Sequence, residues 1–228
     1  GEFVPLFEKS CYEFGDKNLA DRGPDPNHGE LLISWDFNVG VMAWTAYQRA
    51  TLPDLMNPRK KWEGLFGVGE CPPEVPNTDK ACDAILEQFP PYLWRHIPIV
   101  IDGDSDGWDG DTRGEVTDYD IIRQKLRKHY EDVRIRAPRS NPSIRSSLLA
   151  TNRALSENKI SVKPIHLYIG RNMPYTIDSM YKTVFADDGR KIKKPPNDTV
   201  THRSDTVRYE ATEEFPFEGI VRAGSVAA

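Results

Sequence analysis

The chain has 228 residues, 38% hydrophobic, 29% charged and 10% aromatic, enough for one sizeable core and unlike a disordered or fibrous composition. A formal net charge of -5 argues against holding nucleic acid by whole-molecule electrostatics, so any such binding needs a local basic face or metal ions. Cys11, Cys71 and Cys82 lack disulfide-framework or zinc-ligand spacing, and the absence of a membrane-length apolar run or charged-then-apolar leader leads us to expect an intracellular protein with no membrane partner.

Residues 1–30 mix charges with Gly15, Gly23, Pro24 and Pro26 and read as an irregular lead-in with one short helical turn; Gly1 to Phe3 and the small-residue tail Ala223 to Ala228 are set aside as frayed ends. Leu31 to Phe37 is a central strand carrying Asp36. Val39 to Tyr47 follows so closely that only a tight turn fits, making an antiparallel pair. Pro53 to Lys61 reads as a longer loop and Trp62 to Cys71 as a third strand. Asn77 or Thr78 caps a helix over Asp79 to Phe89, in which Ala81, Ile85 and Phe89 share one face, and Pro90-Pro91 ends it.

The run Ile97-Pro98-Ile99-Val100-Ile101 is then stopped by alternating acids and glycines, Asp102 to Gly107. It reads as a buried strand delivering carboxylates to its C-terminal edge, where open α/β sheets keep their sites. Thr117 is the N-cap of a helix from Asp118 to about Tyr130, with an apolar stripe of Ile122, Leu126 and Tyr130 and an otherwise basic surface. Val133 to Arg136 is a short strand, and Asn141-Pro142 starts a helix through Leu155. Val162 to Ile169 is a further strand and Pro174 to Phe185 a short helix. Asp187 to Arg190 is a turn, Lys191 to Lys194 a basic loop, and Thr201 opens a last helix holding His202, Asp205 and Tyr209.

Strands separated by helices imply parallel crossovers, so the expected fold is α/β: a mixed sheet with antiparallel lead strands, parallel βαβ units and flanking helices. Asp36 ends the first strand, Asp104 follows the strand at 97–101, and Asp205 sits early in the last helix. A three-strand antiparallel lead, a parallel strand beside the first, and a late helix laying a third acid over their ends is the RNase H-like plan. Three gathered carboxylates repel one another unless cations are bound, and a hard divalent ion takes such oxygen ligands.

Four pieces carry a resemblance: Ser34-Trp35-Asp36-Phe37-Asn38; Gly103-Asp104-Ser105-Asp106-Gly107 followed by Thr117 to Ile122; Arg139-Ser140-Asn141-Pro142; and Thr201 to Tyr209. In order and approximate spacing they resemble the C-terminal nuclease domain of the large terminase subunit of tailed bacteriophages. The resemblance implies a metal-dependent endonuclease domain over 31–215, followed by a tail at 216–228, that cuts concatemeric double-stranded DNA as viral genome packaging starts and ends. It implies Asp36, Asp104 and Asp205 as catalytic metal ligands for Mg²⁺ or Mn²⁺, two ions being expected, and His202, one turn before the third acid on the same helix face, as a further catalytic residue that orients a water or ligates a metal. Double-stranded DNA, a terminase ATPase domain, the small terminase subunit and the portal are the implied partners, in the host cell cytoplasm. No G-x-x-x-x-G-K-[ST] phosphate loop occurs, so the residues read as the nuclease part alone.

Asp106 stands where small residues are usual in that family, and Asp102, Asp109 and Asp111 compete with Asp104 as second ligand. Arg123, Arg127, Arg139, Lys191, Lys193 and Lys194 are candidate DNA-phosphate contacts; a solvated basic surface is the competing reading. Phe37 and the five tryptophans read as core rather than base-stacking residues. Another RNase H-like nuclease, of junction-resolvase or transposase type, is the enzyme alternative. A calcium module is the non-enzymatic one, because Asp102 to Gly107 imitates an EF-hand opening; Arg113 stands where that loop needs its bidentate Glu.

Overall fold

In the computed structural model the described residues are 10–38, 40–53, 59, 61–110, 116–156, 165–186, 191–193 and 200–216. Seven strands form one sheet: β1 (Leu19–Ala20), β2 (Leu31–Asp36), β3 (Ala43–Pro53), β4 (Lys61–Glu70), β5 (Ile99–Gly103), β6 (Val133–Ile135) and β7 (Leu167–Gly170), in the order β1-β7-β4-β3-β2-β5-β6. β2, β3 and β4 pair antiparallel, whereas β5 joins β2, β6 joins β5 and β7 joins β4 in parallel. The segment β4-β3-β2-β5-β6 is the RNase H-like arrangement, extended beyond β4 by β7 and β1.

Alternation along β2 sets the two faces of the sheet. Leu31, Ile33 and Trp35 pack with Ile99 and Ile101 under α1 (Thr78–Gln88), α2 (Pro91–Trp94) and α3 (Asp118–Leu126). Leu32 and Val100 pack on the other face with α4 (Ile144–Leu155), α5 (Pro174–Lys182) and α6 (Thr201–Glu214). The result is three layers, helices over both faces of a mixed sheet. Asn77 caps α1 by accepting from Lys80 N, and Thr117 caps α3 in a reciprocal arrangement with Asp120.

Several boundaries differ from expectation. β3 begins at Ala43 because Gly40, at φ 87°, turns the chain where the apolar run suggested strand, and β3 then extends through Pro53 into the expected loop. Pro91 opens a second short helix instead of only ending the first. The lead-in holds a 3₁₀ turn at Asp16–Asn18, and β1 docks on β7. α3, α4 and α5 are shorter than or offset from their expected limits by a few residues. The expected turn at 187–190, the first residues of the expected 162–169 strand, Asp111, Arg113 and Lys194 lie outside the described residues. Among the described residues no helix is long and apolar enough to cross a membrane.

Candidate active site

α6 is unusual for its chemistry: Thr201 through Arg208 are all buried although most are polar or charged. A polar helix can be buried only if most of its side-chain groups find partners, and these do, Arg203 Nε and Arg208 Nε being the two in this stretch without a hydrogen bond among the described residues. Ser34 Oγ on β2 donates to Thr206 O at 2.8 Å, and the Thr45 and Thr206 hydroxyls lie 2.7 Å apart. Arg203 donates to Cys71 O, and Ser204 bonds Ser179 and Thr183 on the α5 side. These bonds fix the rotation of α6 over β2 and β3, and so the direction in which His202 and Asp205 project.

Asp36, at the end of β2, is 4% exposed. His202 Nδ1 donates to its Oδ2 at 2.9 Å, and Asn38 Nδ2 donates to the same oxygen. Burial pushes the Asp36 carboxyl above its ordinary range; the His202 hydrogen bond draws it back; the charges of Asp205 and then Asp104 push it up again. Asp205 on α6 and Asp104 at the end of β5 therefore both lie within electrostatic reach of Asp36 on β2.

Asp104 is brought there by Gly103, whose φ of 135° lets the backbone close on β2 so that Asp104 N donates to Trp35 O at 2.9 Å. Its Oδ1 accepts from Asn141 Nδ2 at 2.5 Å and from Asp106 N at 2.9 Å, and its Oδ2 from the Tyr209 hydroxyl at 3.4 Å. Tyr209 lies one turn beyond Asp205; burial and the charges of Asp36, Asp104 and Asp205 all keep its hydroxyl protonated. Asp205, 2% exposed, accepts from Arg208 Nη2 at 2.9 Å, and Arg208 is itself held by Ser147 at 2.7 Å.

The competitors of Asp104 have other surroundings. Asp102 forms a bidentate pair with Arg136, at 2.9 and 2.7 Å, on the α6 face. Asp106 is exposed, its carboxyl raised chiefly by the charge of Asp104. Asp109 is exposed as well.

By donor chemistry the three carboxylates are anionic oxygens of the kind a hard divalent cation takes, and the charges of Asp205 and Asp104 add to the cost of ionising Asp36. Among the described residues no three His, Cys, Asp or Glu side chains close around one point. Asp104 and Asp205 instead accept from Asn141, Tyr209 and Arg208, partners that an ion would have to displace or share.

The candidate DNA contacts do not form one track. Arg139 lies at the acid edge, two residues from Asn141. Arg127 donates to Val133 O, at the start of β6 and thus at the opposite edge, and Arg123 sits 3.6 Å from Asp120. Lys191 and Lys193 flank Ile192, which bridges to Phe185. Trp35, Trp44 and Trp94 are buried as expected, whereas Trp62 and Trp108 are only partly so.

Sequence reading assigned no role to Asn38, Asn141, Arg208 or Tyr209, although all four lie inside the segments that carried the resemblance. The usable signal was spacing: Tyr209 and Arg208 sit four and three residues after Asp205, one helical turn away.

Fold and site together define an α/β protein of RNase H-like plan with buried acids from three elements at one sheet edge. No protein-family model, curated protein or solved structure matches the chain.

Proposed function

We propose that this chain is a divalent-metal-dependent DNA endonuclease, the nuclease domain of a viral DNA-packaging terminase, cutting concatemeric double-stranded DNA in the host cytoplasm. The observation that carries the reading is the burial of Asp36, Asp104 and Asp205 together, with the charges of Asp205 and Asp104 adding to the cost of ionising Asp36. Burying like charges together is unfavourable, and a cation is the ordinary remedy. The resemblance of four ordered segments supplies the terminase assignment and its partners: an ATPase domain, the small subunit and the portal.

Asp36, Asp104 and Asp205 would hold Mg²⁺ or Mn²⁺. Bound there, the ions supply Lewis-acid charge for attack of water on a phosphodiester and for departure of the leaving oxygen. His202 orients Asp36 through its 2.9 Å hydrogen bond, Asn141 and Tyr209 orient Asp104, and Arg208 orients Asp205. No side chain need act as nucleophile. Each acid is fixed by a different element, so its position does not depend on the substrate.

The reading is tested by incubating the chain with linear duplex, supercoiled plasmid and four-way junction DNA under Mg²⁺ or Mn²⁺, with and without excess chelator. Chelator-sensitive cutting of the duplex is expected. Preference for the junction would move the assignment to a resolvase-type enzyme, and no cutting of any substrate would end it.

A further inference from the structure

A continuous aromatic stack runs beneath the acid edge. Trp35 stacks on Phe37 with centroids 5.7 Å apart, Phe37 meets Tyr119 edge-on at 5.0 Å, and Tyr119 meets Trp108 at 4.7 Å. The last member carries a cation: the Arg139 guanidinium carbon lies 3.9 Å from the Trp108 ring centroid. This stack is also tied to both acids, since Trp35 and Phe37 flank Asp36 in sequence and the Tyr119 hydroxyl donates to the main-chain O of Asp104 at 2.7 Å.

The loop bearing Arg139 is pinned on both sides. Trp108 Nε1 donates to Ala137 O at 3.3 Å and Pro138 O at 3.1 Å, while Asn141 Oδ1 accepts from Ser105 N at 2.9 Å. Arg139 is exposed, and among the described residues none accepts a hydrogen bond from it. Stacking uses the guanidinium face, whereas its five N–H donors lie in the plane and stay available for an oxyanion. A cation so held keeps few rotamers to lose on binding.

We propose that Arg139, positioned by Trp108, grips a backbone phosphate of the DNA strand lying across the acid edge, fixing the strand relative to Asp36 and Asp104. The acids repel that strand and Arg139 offsets the repulsion from a site built on the same aromatic frame. The proposal rests on the nuclease reading for its substrate but is tested by binding alone.

The measurement is fluorescence anisotropy of a labelled linear duplex with the whole chain over a salt series, Ca²⁺ replacing Mg²⁺. One lost phosphate contact lowers the slope of log affinity against log salt by about 0.9. Arg139→Gln is expected to show that drop with weaker binding. Arg139→Lys should keep the slope but not the full affinity, and Trp108→Leu should weaken binding with less change in slope. Arg95→Gln, whose arginine follows α2 and pairs with Glu131, should leave both unchanged. If folded Arg139→Gln keeps parental affinity and slope, or if the parent binds no duplex, the proposal is overturned. If binding depends on Arg139 but the parent never cuts DNA under Mg²⁺ or Mn²⁺, the grip stands and the nuclease reading falls.

Discussion

His202 on α6 and Asp36 on β2, 166 residues apart in the chain, meet at 2.9 Å in a buried hydrogen bond. This bond ties the only buried histidine among the described residues to an acid whose carboxyl is raised by burial and by the charges of Asp205 and Asp104. His202 thereby fixes which carboxylate oxygen of Asp36 remains for a ligand. Replacing it with alanine should leave Asp36 present but poorly aimed. Loss of an outer partner of a metal ligand typically costs about 10- to 100-fold in activity or metal affinity. Plasmid cleavage by His202→Ala is expected to fall in that range, and unchanged cleavage would make the histidine merely structural.

Asp36→Asn and Asp205→Asn should abolish cutting while leaving the fold intact. Removing the Asp36 carboxylate lightens the repulsion on that buried group, so the melting temperature of Asp36→Asn in chelator should hold or rise, whereas Asp205→Asn also breaks the buried pair with Arg208 and should lower it. The parent should in turn gain stability on adding Mg²⁺, by about 2.7 kcal/mol at a hundredfold excess over Kd, and the variants should gain less. Cutting by either variant at the parental rate under Mn²⁺ would remove these acids from the chemistry.

Asp102 and Asp104 make opposite predictions. Breaking a buried ion pair costs about 3–5 kcal/mol; the cost of Asp102→Asn is lower, about 2 kcal/mol, because Arg136 is 31% exposed and keeps Glu214 at 2.9 Å. In a chain of this size that is a drop of about 4–8 °C in Tm. Asp104→Asn should instead spare Tm and remove cutting. If Asp102→Asn kills activity at unchanged Tm, the second ligand has been misassigned.

The strands and helices that sequence reading placed well are those with local signals: the apolar runs of β2 and β5, the Asn77 and Thr117 caps, and the apolar face of α1. Those it misplaced depend on something local pattern does not carry. Val41 and Met42 look like strand, but the positive φ at Gly40 turns the chain there. β1 exists only through its pairing with β7, about 150 residues later. α6 has almost no amphipathic pattern, and its burial rests on polar bonds to β2, β3, α4 and α5. The strand-end acids were visible as carboxylates, yet which one pairs with Arg136 and which faces Tyr209 is decided by the turn at Gly103.

Glu210 on α6 should give the protein a pH-dependent stability. It is fully buried, its Oε2 has no hydrogen-bond partner among the described residues, and burial followed by the Asp102 charge holds its carboxyl well above the ordinary range, against the opposing charge of Arg136. The native state thus keeps a proton that the unfolded chain releases near the usual glutamate value. The associated stability is fully present below that value and is lost as pH rises through the raised native one. Glu210→Gln removes this titration, so its Tm should improve relative to the parent as pH increases. Parallel Tm curves over pH 4 to 9 would show that Glu210 is not burdened in this way.

Two glycines should prove indispensable for different reasons. At Gly103, an alanine would combine a φ of 135° with a Cβ only 2.2 Å from the Trp35 carbonyl oxygen, a backbone atom that cannot move without breaking the β2–β5 pairing. Strain at such a φ costs about 1–3 kcal/mol before the clash is added, so Gly103→Ala is expected to lose both stability and cutting. At Gly107, the new methyl would lie 2.3 Å from the Phe37 ring and 2.7 Å from Tyr119, wedging the aromatic stack apart. Overpacking of this kind costs about 1–3 kcal/mol. Because the stack ends at Trp108 and Arg139, Gly107→Ala should also weaken duplex binding, which anisotropy beside a thermal melt would reveal. A variant that melts early yet binds DNA as the parent does would show that the stack supports the fold without setting the position of Arg139.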